Sequence, residues 1–131
     1  MARPKHEQPT PGELEVLKIL WQRGPSTVRQ VMEQLNRRRR RAYTSVMSLL
    51  GVMTDKGLLA RQRKGRAFLY RAKVDRERTL GRMVEDLLGR VFEGSAASLV
   101  VHLLDRSNPS PQELEAIRKA IHDYRKQQGD T

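Results

Sequence analysis

Five consecutive arginines, Arg37, Arg38, Arg39, Arg40 and Arg41, lead straight into Ala42-Tyr43-Thr44-Ser45-Val46-Met47-Ser48-Leu49-Leu50. Guanidinium groups bind phosphate oxygens through paired, charge-assisted hydrogen bonds. Hydroxyls can bond base edges and phosphates, a methionine can touch a thymine methyl, and a tyrosine hydroxyl can bond a phosphate. A helix here that turns Val46, Leu49, Leu50 and Met53 inward displays Tyr43, Thr44, Met47 and Ser48 on its other side, with Ser45 at the margin. A second basic group, Arg61, Arg63, Lys64 and Arg66, follows that helix. Basic runs are usually solvated or disordered, but cations recurring on both flanks of one polar helix face favour a clamp on phosphates. No side chain on the face offers the bidentate arginine–guanine or asparagine–adenine contact that would reveal a base preference.

Other chemistry finds little support. His6, His102 and His122 are far apart, no HExxH pattern is present, and no set of carboxylates converges with them, so they read as ordinary surface or core histidines. The chain has no cysteine, which removes disulfides, thiolate metal sites and a cysteine nucleophile. There is no nucleophile elbow and no glycine-rich phosphate loop. Glu85-Asp86 reads as a solvated face. Trp21 and Phe92 read as core or interface anchors, because only 5% of the chain is aromatic and RNA-stacking modules display several rings. No enzyme activity, metal or cofactor is expected.

The charge agrees with a polyanionic partner. The 131 residues carry a formal net charge of +11. Residues 1 to 75 hold 17 Lys and Arg against 6 Asp and Glu, whereas residues 76 to 131 hold 9 against 9, so the whole excess lies in the first part. The length suits one small domain with an oligomerisation appendage. No stretch approaches an apolar membrane span, and Met1-Ala2-Arg3-Pro4-Lys5-His6 lacks the apolar core of a secretory signal, so no membrane insertion and a cytoplasmic location are expected.

Several elements are needed to position these groups. Thr10-Pro11-Gly12-Glu13 predicts a capped helix start, with Leu14, Leu17 and Trp21 inward and Gly24-Pro25 ending the helix. Thr27 caps a short helix with the stripe Val28, Val31, Met32 and Leu35, and the third helix stops at Lys56-Gly57. Residues 58–62 and 67–71 read as strands joined by a basic tip, Arg63-Lys64-Gly65-Arg66. Three helices and a hairpin give a mainly α, winged helix-turn-helix fold, with the third helix as reader and the hairpin as wing.

Beyond it, Asp75 caps a fourth helix whose stripe runs through Leu80, Met83, Val84, Leu87, Leu88, Val91 and Phe92. A fifth helix from Ser95 to Asp105 carries Leu99, Val100, Leu103 and Leu104, and a sixth, capped by Ser110, carries Leu114, Ile117, Ile121 and Tyr124. This is more apolar surface than three short helices can hide among themselves, so a partner chain is expected to cover the rest. The expected dimer interface comprises Leu80, Met83, Leu87, Val91, Leu99, Leu103, Ile117 and Ile121. The division is a DNA-binding domain at 8–73 and a helical dimerisation domain at 74–127.

Leu14-Glu15-Val16-Leu17 with Trp21, Thr27-Val28-Arg29-Gln30-Val31, Ala42-Tyr43-Thr44-Ser45-Val46-Met47, Lys56-Gly57-Leu58 and Ala67-Phe68-Leu69-Tyr70 resemble the penicillinase repressor family over residues 8 to 127. That resemblance implies a homodimeric winged-helix repressor on a palindromic DNA operator, controlling β-lactam-response or related genes. It also implies inactivation by a sensor-linked protease in many members. The chain departs from the family pattern in places: Gly51-Val52 stand where polar or basic residues are frequent, and the Cys-x-Cys pattern of copper-responsive members is absent. At the position of the cleaved Asn-Phe dipeptide of staphylococcal-type repressors, the chain reads His102-Leu103. Two rival readings are a winged-helix protein that binds nucleic acid without sequence choice and a non-DNA adaptor whose basic face meets an acidic protein.

Overall fold

The computed structural model describes residues 8–129, and the leader with His6 lies outside them. The elements run α1 (Pro11–Arg23), α2 (Val28–Leu35), α3 (Tyr43–Asp55), β1 (Leu59–Lys64), β2 (Ala67–Ala72), α4 (Arg76–Arg90), α5 (Ala96–Ser107) and α6 (Pro111–Gln127). Three helices followed by a two-stranded antiparallel hairpin make a winged helix-turn-helix. The chain divides into two compact units, one running to Val84 and the other beginning at Glu85.

In the first unit, Thr10 and Glu13 close a reciprocal capping box on α1, and Thr27 and Gln30 do the same on α2. The core comprises Val16, Leu17 and Leu20 of α1; Val28, Val31 and Leu35 of α2; Val46, Leu50 and Met53 of α3; and Leu59 and Tyr70 of the hairpin. The inward side of α1 is thus turned from the sequence expectation. Leu14 and Trp21 are only half-buried, and Trp21 Nε1 donates to the Val74 carbonyl at 3.0 Å. An indole N–H needs a polar partner, and the core interior offers none, so Trp21 takes the rim.

The hairpin is anchored at its base and free at its tip. Ser26 and Tyr70 exchange backbone hydrogen bonds of 2.9 and 2.8 Å, tying β2 to the α1–α2 connection. The turn is tighter than the four-residue tip expected. β1 continues through Lys64, which pairs with Ala67, and only Gly65-Arg66 lie between. Gly65 has φ +64 while Arg66 has no positive φ, the glycine-first pattern of a two-residue II′ turn.

The division between the two compact units falls within α4. The beginning of α4 stays with the winged helix through a Gln8 bond to the Arg82 carbonyl at 3.0 Å and burial of Thr79, and the Trp21 bond holds Val74 just before it. Asp75 Oδ2 accepts from the Arg78 amide, as the sequence predicts for a cap. α4 ends at Arg90, before Val91 and Phe92, where Gly94 at φ +82 donates back to the Leu88 carbonyl at 2.8 Å and closes the helix.

In the second unit, Ser95 and Ser110 cap α5 and α6, and left-handed Asn108 ends α5 before Pro109. Phe92 meets His102 edge-on at 5.2 Å between ring centroids. No described residue from 85 to 129 is buried.

Candidate nucleic-acid interface

The side of α3 turned away from the core is the centre of the site. Its core contacts are Val46, Leu50 and Met53. Steps of three and four residues place Thr44, Ser48, Gly51 and Asp55 in line on the opposite side. Tyr43 and Met47 form one shoulder of that line, and Ser45 and Leu49 form the other. Tyr43, Thr44, Ser45, Met47 and Ser48 are all exposed, as expected. The line ends on the carboxylate of Asp55, so an anionic partner is favoured at the first two turns of α3 and repelled at the last.

α3 itself holds no cation, and its positive charge comes from its neighbours. The arginine run forms an ordered turn off the end of α2. Arg38 and Arg39 amides donate to the Leu35 carbonyl at 3.2 and 3.3 Å, and the Arg41 amide donates to Asn36 Oδ1 at 2.8 Å. Arg37 to Arg40 are exposed. Arg41 is not: its Nη2 pairs with Glu15 of α1 at 3.0 Å, and Nη1 is buried without a partner. The five arginines grouped in the sequence thus separate into four that face outward and one that fastens the start of α3 to α1.

Arg39, Arg40, Arg41, Ala42, Ser45 and Leu49 line an open cleft of about 470 Å³ on the Ser45 shoulder. The first-turn amides of α3 lack a side-chain cap, because Ala42 holds the N-cap position. The other described helices open on a Ser, Thr or Asp oxygen. Uncapped amides at a helix N-terminus attract anions, phosphate included.

Strand parity sorts the wing cations. Arg61 and Arg63 lie on the face that carries Leu59, Tyr70 and Phe68, while Lys64 lies on the other and Arg66 is in the turn. The Arg61 guanidinium sits 4.4 Å from the Phe68 ring centroid and that of Arg63 5.7 Å from it, so one aromatic ring orients two exposed cations. Arg63 Nε also reaches the Gly65 carbonyl at 3.3 Å.

Two charged groups that the sequence reading did not place at the site also bear on it. Arg29, exposed in the first turn of α2, lies over the Tyr43 ring at 5.8 Å. Its proximity to α3 depends on how α2 packs, and only its type was visible in the sequence. Glu13, 2% exposed, accepts from Lys56 Nζ at 2.9 and 3.1 Å and so ties the first turn of α1 to the residue that ends α3. Burial works against its charge, but the Thr10 amide and the Lys56 ammonium outweigh burial and hold its pKa below the ordinary carboxylate value. The cap was readable at Glu13, whereas the partner 43 residues away was not.

The penicillinase repressor family model matches residues 9–123. The chain belongs to that family. It is 36% identical over 114 residues to the transcriptional regulator BlaI of Mycobacterium tuberculosis, an alignment covering 84% of this chain and 81% of the relative. Its identity to the penicillinase repressor of Bacillus licheniformis is 22% over 121 residues, covering 92% and 94%. A solution structure of monomeric Bacillus licheniformis BlaI in complex with the blaP half-operator superposes with a TM-score of 0.48 at 26% identity, covering 56% of this chain and 89% of that one.

In the second unit, the residues expected at a dimer interface divide by exposure. Leu87, Val91, Leu103 and Ile121 are exposed, while Leu99 and Ile117 are half-buried. Leu80 and Met83 are also half-buried and belong to the first unit. His102 and Leu103, the expected cleavage position, are both exposed on α5. Among the described residues no helix is long and apolar enough to cross a membrane, and no group of three or more His, Asp or Glu gathers.

Proposed function

We propose that this protein is a transcriptional repressor that binds a palindromic operator in double-stranded DNA as a homodimer. The observation that carries the reading is the exposed Thr44–Ser48 face of α3 with cations beside it and none on it. In this arrangement hydroxyls and Met47 reach base edges in the major groove, while Arg37 to Arg40 and the wing cations hold phosphates on either side. The names of the relatives, a transcriptional regulator and a penicillinase repressor, support repression as the outcome.

Dimerisation is supported by the second unit, whose described residues include none that is buried although Val91, Val101, Leu103, Ile121 and Tyr124 are large and apolar. Helices without a core of their own gain stability by covering those faces with a second copy. Residues 8–73 then serve as the DNA-binding domain and 74–127 as the dimerisation domain. Release of DNA follows from cleavage at exposed His102-Leu103 by a sensor-linked protease, since cutting α5 divides the dimer surface. Control of β-lactam-response genes fits membership of the family. The test is protection mapping of the DNA upstream of the chain's own gene, with unrelated duplex as competitor. Two protected patches about one helical turn apart, resistant to that competitor, support the reading; uniform protection abolished by any duplex refutes it.

A further inference from the structure

We propose that Arg29 is a DNA-contact residue and that Tyr43 acts through its ring, as the platform that holds the Arg29 guanidinium beside the reader helix. The inference rests on the DNA-binding reading and extends the interface to a third element, α2. Along α3, the two shoulders of the Thr44–Ser48 line differ in their source of charge. The Ser45 shoulder adjoins Arg39 and Arg40 across the cleft they share. The Tyr43 shoulder adjoins Arg29, whose Cζ lies 5.8 Å from the Tyr43 centroid, within the usual range of a cation–π contact. A helix inserted in a groove meets one phosphate strand on each side, and these two shoulders supply a cation for each.

Three further observations indicate an anionic partner for Arg29. It is exposed, and no described carboxylate pairs with it. It lies in the first turn of α2, where the helix dipole disfavours a cation unless an anion is near. The cap of that helix is already complete through Thr27 and Gln30, so Arg29 has no capping role. Tyr43 is 42% exposed and makes no hydrogen bond through its hydroxyl among those of the described residues, so its ring contact with Arg29 is the interaction in place before DNA arrives.

The experiment uses the full-length chain and its upstream duplex, with binding measured across a salt series for the parent, Arg29→Ala, Tyr43→Phe, Tyr43→Leu and the Arg29→Ala/Tyr43→Leu double variant. Far-UV circular dichroism and Trp21 fluorescence verify that each variant is folded. Arg29→Ala is expected to weaken specific and unrelated duplexes alike, by about tenfold, and to reduce the salt slope by about 0.9. Tyr43→Phe keeps the ring and is expected to stay within about twofold of the parent. Tyr43→Leu loses affinity, and the double variant is no weaker than Arg29→Ala alone, because the ring acts through the arginine. A parental salt slope in Arg29→Ala overturns the proposal, as does equal loss in Tyr43→Phe and Tyr43→Leu, which would assign the contact to the hydroxyl. Absence of salt-dependent duplex binding by the parent would instead refute the DNA-binding reading itself.

Discussion

Replacing Glu13 should loosen α3 at its far end and destabilise the whole first unit. The Glu13 carboxylate accepts from the Thr10 amide at 3.0 Å and from the Lys56 ammonium at 2.9 and 3.1 Å, at 2% exposure. The cap interaction contributes about 1 kcal/mol, and a hydrogen-bonded contact to a charged group about 2 kcal/mol. Glu13→Ala removes both, for a loss of about 3 kcal/mol. Glu13→Gln keeps an acceptor for the Thr10 amide and loses the charge, for about 2 kcal/mol. The assay is urea unfolding at fixed protein concentration, followed by fluorescence of the single tryptophan, Trp21, which lies on this unit. The pH dependence has a definite sign. Because the folded pKa of Glu13 lies below its unfolded value, its contribution is fully present above that unfolded value, near 4.5, and is lost as pH falls through the folded pKa. Glu13→Gln should therefore converge with the parent in acid. A loss below about 1 kcal/mol for Glu13→Ala, or an acid limb in Glu13→Gln as steep as the parent's, would refute the assignment of an anchoring ion pair.

The remaining expectations concern DNA and assembly. Leu87→Glu with Leu103→Glu removes two exposed leucines per protomer; at roughly 1 kcal/mol for each partly covered leucine, association weakens by about 4 kcal/mol, or about a thousandfold, seen in sedimentation equilibrium. Thr44→Ala or Ser48→Ala should reorder affinities among operator variants by roughly 1 kcal/mol per lost base contact, while Arg63→Ala or Arg66→Ala should weaken all duplexes alike and flatten the salt slope by about one unit each; competition titrations separate the two. After β-lactam treatment, intact-mass measurement of the chain should find a cut at His102-Leu103 accompanying loss of operator occupancy, and derepression with all 131 residues joined would rule cleavage out.

Much of this arrangement is legible in the sequence, and the misreadings share a cause. Thr10-Pro11-Gly12-Glu13 and Ser95 specify helix starts through local chemistry, and the structure places caps there. The exposed face of α3 follows from its 3.6-residue period alone. Features that depend on packing between elements are different. Leu14 and Trp21 fit the period of α1 but yield the core to Val16, Leu17 and Leu20, because the core's position around α1 is set by α2 and α3. Arg41 matches its four neighbours in type but is drawn inward by Glu15, 26 residues earlier. Arg63, Lys64 and Arg66 read with Gly65 as a four-residue tip because charge resembles loop, whereas Gly65 alone fixes where the turn falls. Arg29 gains its place beside Tyr43 only when α2 packs against α3.

The proposed repressor places two copies of this chain together on one operator. Sedimentation velocity of the protein mixed with its upstream duplex, at micromolar concentration and moderate salt, tests it most directly. Two chains per duplex are predicted, with a duplex containing a single half-site bound orders of magnitude more weakly because bivalency is lost. One chain per duplex, with half-site and full site bound equally tightly, would contradict it.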